Sequence, residues 1–112
     1  MTLSEVTQAV EAFFADNSHA GLVLPSGWFG RPYDNLHRLT ECTAEGSTVR
    51  VELDGQHQLS FEGGALLAVR EPEGLTLRGF ATLTWDWRSY GSLEEHHEIF
   101  SGGEVAFVAL LG

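Results

Sequence analysis

A change of periodicity after Pro25 constrains the fold of this chain more than any other feature of its sequence. Before Pro25, Thr2 and Glu5 match a capping box, and polar residues at 16–18 precede Gly21, so we predict a helix over about 3–17. The apolar residues of this segment recur at helical spacing and would form one buried stripe: Leu3, Val6, Val10, Phe13 and Phe14.

Beyond residue 35, apolar and polar residues alternate, which is the pattern of strands with one buried face. An Asp-Gly pair at 54–55 indicates a hairpin. A three-residue loop there pairs Leu53 with His57 and keeps apolar residues opposite one another, with His57 at the rim of the apolar face. The longest alternating run extends from Leu75 to Trp87, and Gly79 within it is a natural site for a bulge or bend.

These patterns predict an α+β fold with a single domain over residues 1–112. An N-terminal amphipathic helix would pack on a curved antiparallel sheet of six to eight strands, either a roll or a partly open barrel. The strands would occupy residues 36–111. Residues 25–35, which hold two of the three prolines, would form a loop with unusually many aromatic side chains.

The charged residues of the chain exclude several kinds of chemistry, both by their types and by their balance. Sixteen acidic residues stand against six basic ones, all of them arginine, and the net charge is -10. Without lysine there is no Schiff-base chemistry and no Walker-type phosphate site. The negative charge also argues against a nucleic-acid partner. Two interpretations of the charge stay open: it keeps the protein soluble, or it matches a basic protein partner.

The sequence also bears on compartment. No apolar run is long enough to span a bilayer, and no basic segment followed by an apolar one marks a signal peptide. Cys42 is the single cysteine, so no internal disulfide can form. We therefore expect a cytoplasmic protein with no membrane partner. The oligomeric state is left open.

All tryptophans and tyrosines fall into two windows, Trp28–Asn35 and Trp85–Tyr90, each with one arginine beside them. Aromatic and arginine side chains are common anchors of recognition surfaces. If the windows meet, they form an aromatic cleft in which Arg31 and Arg88 are candidate anion donors. The candidate ligand- or partner-binding residues are Trp28, Phe29, Arg31, Tyr33, Asp34, Asp86, Arg88 and Tyr90.

A structural interpretation of the same windows is equally specific. Trp28 and Phe29 would plug the open end of the sheet, and Arg31 would pair with Asp34 or Asp86. Trp85 and Trp87 would belong to the core, while Asp86 and Arg88 would pair with each other or across the sheet.

Metal and catalytic motifs have little support in the sequence. His96-His97-Glu98 is the nearest approach to a metal motif, but in a strand His96 and Glu98 share one face while His97 points the other way. His37 or His57 would have to complete such a site. We predict no metal, no cofactor and no catalytic residue.

Two functional classes remain from the sequence. The first is a non-catalytic protein-binding or inhibitory module, which we favour because no catalytic spacing occurs. The alternative is a small-ligand-binding or enzymatic domain, with an aromatic cleft between residues 28–35 and 85–90. A concave pocket formed by Arg31, Arg88 and Asp86 would favour the alternative, and a flat surface with exposed Trp28 and Phe29 would favour the first.

Overall fold

The structure is a computed structural model, and it describes residues 1–28, 35–88 and 95–109, with the backbone alone for Trp28. These residues form one helix and ten strands, and every strand pairing is antiparallel. The elements are α1 Leu3–Asp16, β1 Ala20–Leu24, β2 Gly27–Trp28, β3 Leu39–Glu45, β4 Thr48–Leu53, β5 His57–Glu62, β6 Leu67–Glu71, β7 Gly74–Arg78, β8 Thr82–Arg88, β9 Glu95–Phe100 and β10 Glu104–Ala109. The predicted α+β class is confirmed.

The helix begins and ends where the sequence predicts. The Thr2 hydroxyl accepts a hydrogen bond from the Glu5 backbone N–H at 3.1 Å, and the Glu5 carboxylate accepts one from the Thr2 N–H at 2.8 Å. This reciprocal capping satisfies two N–H groups that the first helical turn leaves without partners. Asn17 is extended and ends the helix. Within the described residues, no helix is long and apolar enough to cross a bilayer.

The strands divide into two five-stranded sheets that do not close into a barrel, where the sequence predicts one curved sheet of six to eight strands. The first sheet has the order β2-β1-β10-β7-β6, and the second has the order β3-β4-β5-β8-β9. Two features raise the number of strands to ten. Gly27–Trp28 adds a short strand inside the predicted loop, and the long run Leu75–Trp87 is two strands, not one.

Gly79 separates β7 from β8 and sends the chain from the first sheet to the second. Its φ is +84°, a conformation that side chains with a Cβ rarely adopt. A Cβ at this position would lie 2.1 Å from the Ala65 carbonyl oxygen, which also prevents substitution. The bend predicted at Gly79 is therefore confirmed, but it is sharp enough to end the strand and change its sheet.

The helix closes one side of the core by contacting both sheets. It packs against β3 and β4 of the second sheet and β6 and β7 of the first. Its apolar stripe meets the inner faces of the strands in one cluster of buried side chains. The members that are fully buried include Val10, Phe13, Leu22, Leu53, Phe61, Leu77, Leu83 and Val105.

The predicted register of the β4–β5 hairpin is confirmed. Leu53 pairs with His57, Val51 with Leu59 and Val49 with Phe61. Because paired residues share a face, this register buries the apolar residues of both strands and takes His57 with them. His57 is therefore inside the molecule, 3% exposed, and not at the rim.

Candidate functional site

The described residues include only part of the predicted aromatic site. Asp86 and Arg88 lie on the outer face of β8, and the backbone of Trp28 lies in β2. Phe29, Arg31, Tyr33, Asp34 and Tyr90 lie outside the described residues. The predicted meeting of the two windows therefore stays a prediction.

A cleft of about 700 Å³ lies at the end of the second sheet, beside the turn that follows β4. Three strands and the turn contribute its walls, and most of the side chains are polar. The lining residues are Gly55, Gln56, Gln58, Asp86, Trp87, Arg88, Glu95, His96 and His97. The volume falls within the range of small-molecule sites. Asp86 and Arg88, both predicted from the sequence, lie in this cleft.

Two polar side-chain pairs cross from β8 to β9 in the cleft. The Arg88 guanidinium donates to the Glu95 carboxylate at 3.0 Å, and His97 Nδ1 lies 2.5 Å from the Asp86 carboxylate. The sequence predicts that Asp86 and Arg88 pair either with each other or across the sheet. In the structure both pair across the sheet, each with a residue of β9. All four side chains are about half exposed or more, so solvent screens both pairs. In the first pair Glu95 compensates the charge of Arg88.

The inner wall of the cleft is a row of stacked rings on three neighbouring strands. Trp87 stacks on His96 at 4.2 Å between ring centroids and on His57 at 5.7 Å, and both pairs are within 15° of parallel. The register explains the row, since Trp87 pairs with His57 on one side and His96 on the other. Directly opposed residues in a sheet point to the same face. Trp87 therefore connects the cleft to the buried His57.

Behind this wall lies a cluster that was not predicted from the sequence, formed by His37, Asp54 and His57. His37 and His57 are both 3% exposed, and their rings meet edge to face at 4.9 Å. His37 Nδ1 lies 2.6 Å from Asp54 Oδ2, and since a carboxylate only accepts, His37 donates. Asp54 Oδ1 accepts a second hydrogen bond from the Arg38 N–H at 2.9 Å.

Backbone contacts hold His37 and Asp54 in place. The N–H and C=O of His37 both bond to Ala20 of β1, at 2.8 and 2.9 Å. Two residues before His37, the buried Asn35 side chain accepts a hydrogen bond from the Leu22 N–H and donates one to the Leu22 C=O. Its amide thus makes the two hydrogen bonds that a residue of a neighbouring strand would make. Asp54 has a φ of +58° in the turn after β4, a conformation that aspartate tolerates better than most residues.

His57 is neutral in this environment. Burial lowers its pKa to about 4, the charge of His37 adds to the effect, and Asp54 opposes it. The geometry agrees with a neutral ring, because Trp85 Nε1 donates to His57 Nδ1 at 3.4 Å and an indole N–H cannot accept. In the neutral ring the proton therefore sits on Nε2.

The histidines at 96 and 97 do not form a joint site. His96 stacks on Trp87, whereas His97 faces Asp86 on the opposite side of β9, as the alternation of a strand predicts. Among the described residues, the three groups able to hold a metal together are instead His37, Asp54 and His57, whose candidate ligand atoms lie within 4.8 Å of one another. The hairpin register brings His57 toward Asp54, but no local signal indicates that His37 joins them.

Cys42 is not part of either site. Its thiol lies 4.0 Å from the Thr7 carbonyl oxygen of the helix. Burial raises the pKa of this thiol to about 12, and the negative charge of Glu11 adds to the effect. A thiol that stays protonated is a poor nucleophile, so Cys42 fits the role of a small packing residue.

Comparison with known proteins does not assign the site. No protein family, curated protein or solved structure matches this chain. The contacts and chemistry of its own residues are therefore the basis for a function.

Proposed function

We propose that this protein binds a small, uncharged polar ligand in the cleft between β8, β9 and the turn after β4. The observation that carries the proposal is the concave volume of about 700 Å³ lined by Trp87 and by amide, carboxylate, guanidinium and imidazole groups. Planar polar groups around an aromatic wall suit a ligand that offers several hydroxyl or amide groups. This is the small-ligand alternative of the two classes expected from the sequence. That alternative placed the cleft between residues 28–35 and 85–90, and the cleft proposed here shares only residues 86–88 with it.

The charges of the cleft support an uncharged ligand over an anion. Asp86 and Glu95 carry two negative charges against the one positive charge of Arg88. Both acids are already paired across the strands, so a ligand finds these side chains held in position by their partners. Side chains that are ordered before binding lose less entropy when the ligand arrives.

A ligand titration followed by NMR tests the proposal. Glucose, succinate and putrescine serve as uncharged, anionic and cationic probes, added at millimolar concentration to the ¹⁵N-labelled protein. We expect glucose to shift the amide signals of residues 55–58, 86–88 and 95–97, with succinate the weakest probe. Shifts spread over the whole surface, or strongest with succinate or putrescine, would contradict the proposal.

Gln58→Ala and Gln8→Ala provide a matched pair of variants. Both glutamines are exposed, but Gln58 lines the cleft whereas Gln8 lies on the helix. Losing one hydrogen bond of about 1 kcal/mol weakens binding roughly fivefold. We expect this loss for Gln58→Ala and none for Gln8→Ala. Equal affinity in the two variants would remove the cleft as the site.

A second candidate function is docking of a basic protein partner along β9. In the part of the chain that the structure describes, β9 is an edge strand with β8 as its neighbour. Ile99 is 58% exposed there, with the acidic Glu95 and Glu98 on the same strand. An exposed edge can add a strand from another protein. Ile99→Lys would abolish such docking and leave glucose binding in the cleft unchanged.

The single cysteine cannot form an internal disulfide, and proteins without disulfides are typical of the reducing cytoplasm. This supports a cytoplasmic location. Secretion of the protein by its native host, checked by cell fractionation, would contradict this assignment.

A further inference from the structure

The buried cluster behind the cleft has the ligand set of a transition-metal site. Two imidazoles and one carboxylate lie with their candidate ligand atoms within 4.8 Å of one another. Neutral histidine nitrogens and carboxylate oxygens suit zinc and its first-row neighbours, and two histidines with one carboxylate leave further positions open for water. The members are His37, Asp54 and His57.

The three groups come from separate segments that the backbone holds rigidly. His37 is bonded in both directions to β1, Asp54 lies in a turn closed by the Gln56 N–H to Leu53 C=O bond of 3.0 Å, and His57 begins β5. Metal-binding residues held by the scaffold lose little entropy on binding. Bringing a metal to about 2.1 Å from each ligand in tetrahedral geometry requires the 2.6 Å contact of His37 and Asp54 to widen to about 3.4 Å. Because His37 now donates its Nδ1 proton to Asp54, that proton has to move to Nε2 or to solvent when Nδ1 binds the metal.

The surroundings of the cluster resemble the outer shell of a metal site. The Arg38 N–H bonds the carboxylate oxygen of Asp54 that His37 does not use. Trp85 and Trp87 stack nearly parallel to the His57 ring and cover it with apolar surface. Outer hydrogen bonds that orient the ligands, and an apolar cover, are regular features of metal sites. The Asp54 side chain is 17% exposed, which gives a route of entry.

We propose that His37, Asp54 and His57 bind one divalent transition-metal ion of the zinc type, with water in the remaining positions. Binding also changes the contact between His57 and Trp85. If the metal binds His57 Nδ1, it takes the position of the hydrogen bond from the Trp85 indole N–H. If the metal binds His57 Nε2, the ring proton moves to Nδ1 and points at the same indole N–H. The 3.4 Å hydrogen bond between the two residues therefore opens in either case.

Cobalt and zinc titrations of the full chain, after removal of metal with EDTA, test the proposal. We expect one Co²⁺ per chain, visible as d–d absorption, and one Zn²⁺ by calorimetry with a change in tryptophan fluorescence. His37→Gln, Asp54→Asn and His57→Gln should each weaken binding at least tenfold. The matched control is the double variant His96→Gln/His97→Gln, which removes the neighbouring histidine pair and should bind as the parent does.

A measurement on the unaltered protein covers the case in which a variant fails to fold. Imidazole ¹⁵N NMR should show zinc-dependent shifts for His37 and His57 and none for His96 and His97. Binding that is lost in the double variant, shifts confined to His96 and His97, or no stoichiometric binding at all would each overturn the proposal. In those cases the cluster is a hydrogen-bonded structural element only.

Discussion

Two histidine–aspartate pairs with nearly the same geometry lie in opposite environments of this molecule. His37 and Asp54 are 2.6 Å apart with side chains 4% and 17% exposed, whereas His97 and Asp86 are 2.5 Å apart with side chains 60% and 48% exposed. Distance therefore does not distinguish the pairs. Exposure to water does distinguish them, because a buried carboxylate that loses its hydrogen-bond partner has no water molecule to take that partner's place.

The comparison also separates two roles. The outer pair lies in an open cleft, where water, salt and ligands reach it, and where its strands β8 and β9 lie side by side. The inner pair joins the segment before β3 to the turn after β4, directly beside the Leu39–Leu53 pair of those two strands. Recognition is the role that we propose for the first pair, and stability or metal binding is the role that we propose for the second.

The largest expected effect is a dependence of stability on pH that comes from His57. Its pKa in the folded state is lowered to about 4 from 6.5, so the unfolded chain binds the proton more readily. Its contribution to stability is complete above pH 6.5, falls as the pH drops below that value, and stops falling below about pH 4. The loss should reach about 3 kcal/mol. Urea unfolding in EDTA at several pH values measures it.

The matched controls for this pH dependence are His57→Gln and His97→Gln. His57→Gln should flatten the fall in stability between pH 6.5 and 4, while His97→Gln on the exposed strand should leave it unchanged. A slope that survives in His57→Gln would mean that another group carries it.

The second effect compares the two carboxylates directly. Asp54→Asn keeps a side chain that tolerates the positive φ and an oxygen for the Arg38 N–H, but it removes the charge that faces His37. We expect a loss of about 2 kcal/mol in the free energy of unfolding, the range for a hydrogen bond to a charged group. Asp86→Asn should cost less than about 1 kcal/mol. Equal losses would refute the argument from burial.

The third effect concerns the reactivity of the Cys42 thiol, whose pKa is also shifted by burial. The pKa of Cys42 is raised to about 12, so little thiolate exists at pH 8. Iodoacetamide should react with Cys42 at least about tenfold more slowly than with an exposed cysteine, even though a high-pKa thiolate is the better nucleophile. The double variant Cys42→Ser/Ser101→Cys supplies that exposed cysteine. Similar rates, followed by mass spectrometry of the folded proteins, would place Cys42 in water.

The smallest effect is the response to salt. Raising NaCl from 0.05 to 0.5 M, a range over which the Debye length falls from about 14 to about 4 Å, screens exposed charges strongly. The coupling of His97 with Asp86, measured at pH 6 by a double-mutant cycle, should fall from at most about 0.5 kcal/mol to near zero. The coupling of His37 with Asp54 should change little. A strong salt dependence of the inner pair would show that water reaches it.

Sequence reasoning is strongest where neighbours in the chain decide the outcome. The Thr2–Glu5 capping box, the helix that follows it and the Leu53–His57 register depend on residues within a few positions of one another. The same reasoning misplaces the long strand, because the alternation of Leu75–Trp87 continues through Gly79 without a sign that the sheet changes. It recovers Asp86 and Arg88 in the cleft but not the Gln and His residues beside them, which the turn after β4, β5 and β9 supply.

By itself the sequence determined the α+β class, the helix, the alternating strands and the absence of lysine chemistry, because periodicity and composition are local properties of a chain. Tertiary structure alone decided that His37 meets Asp54 and His57, and that Trp87 stacks between His57 and His96. These contacts join residues 9 to 30 positions apart, and the order of the strands in the second sheet brings them together. No local pattern encodes which distant segments pack together, since the burial of the whole core selects them.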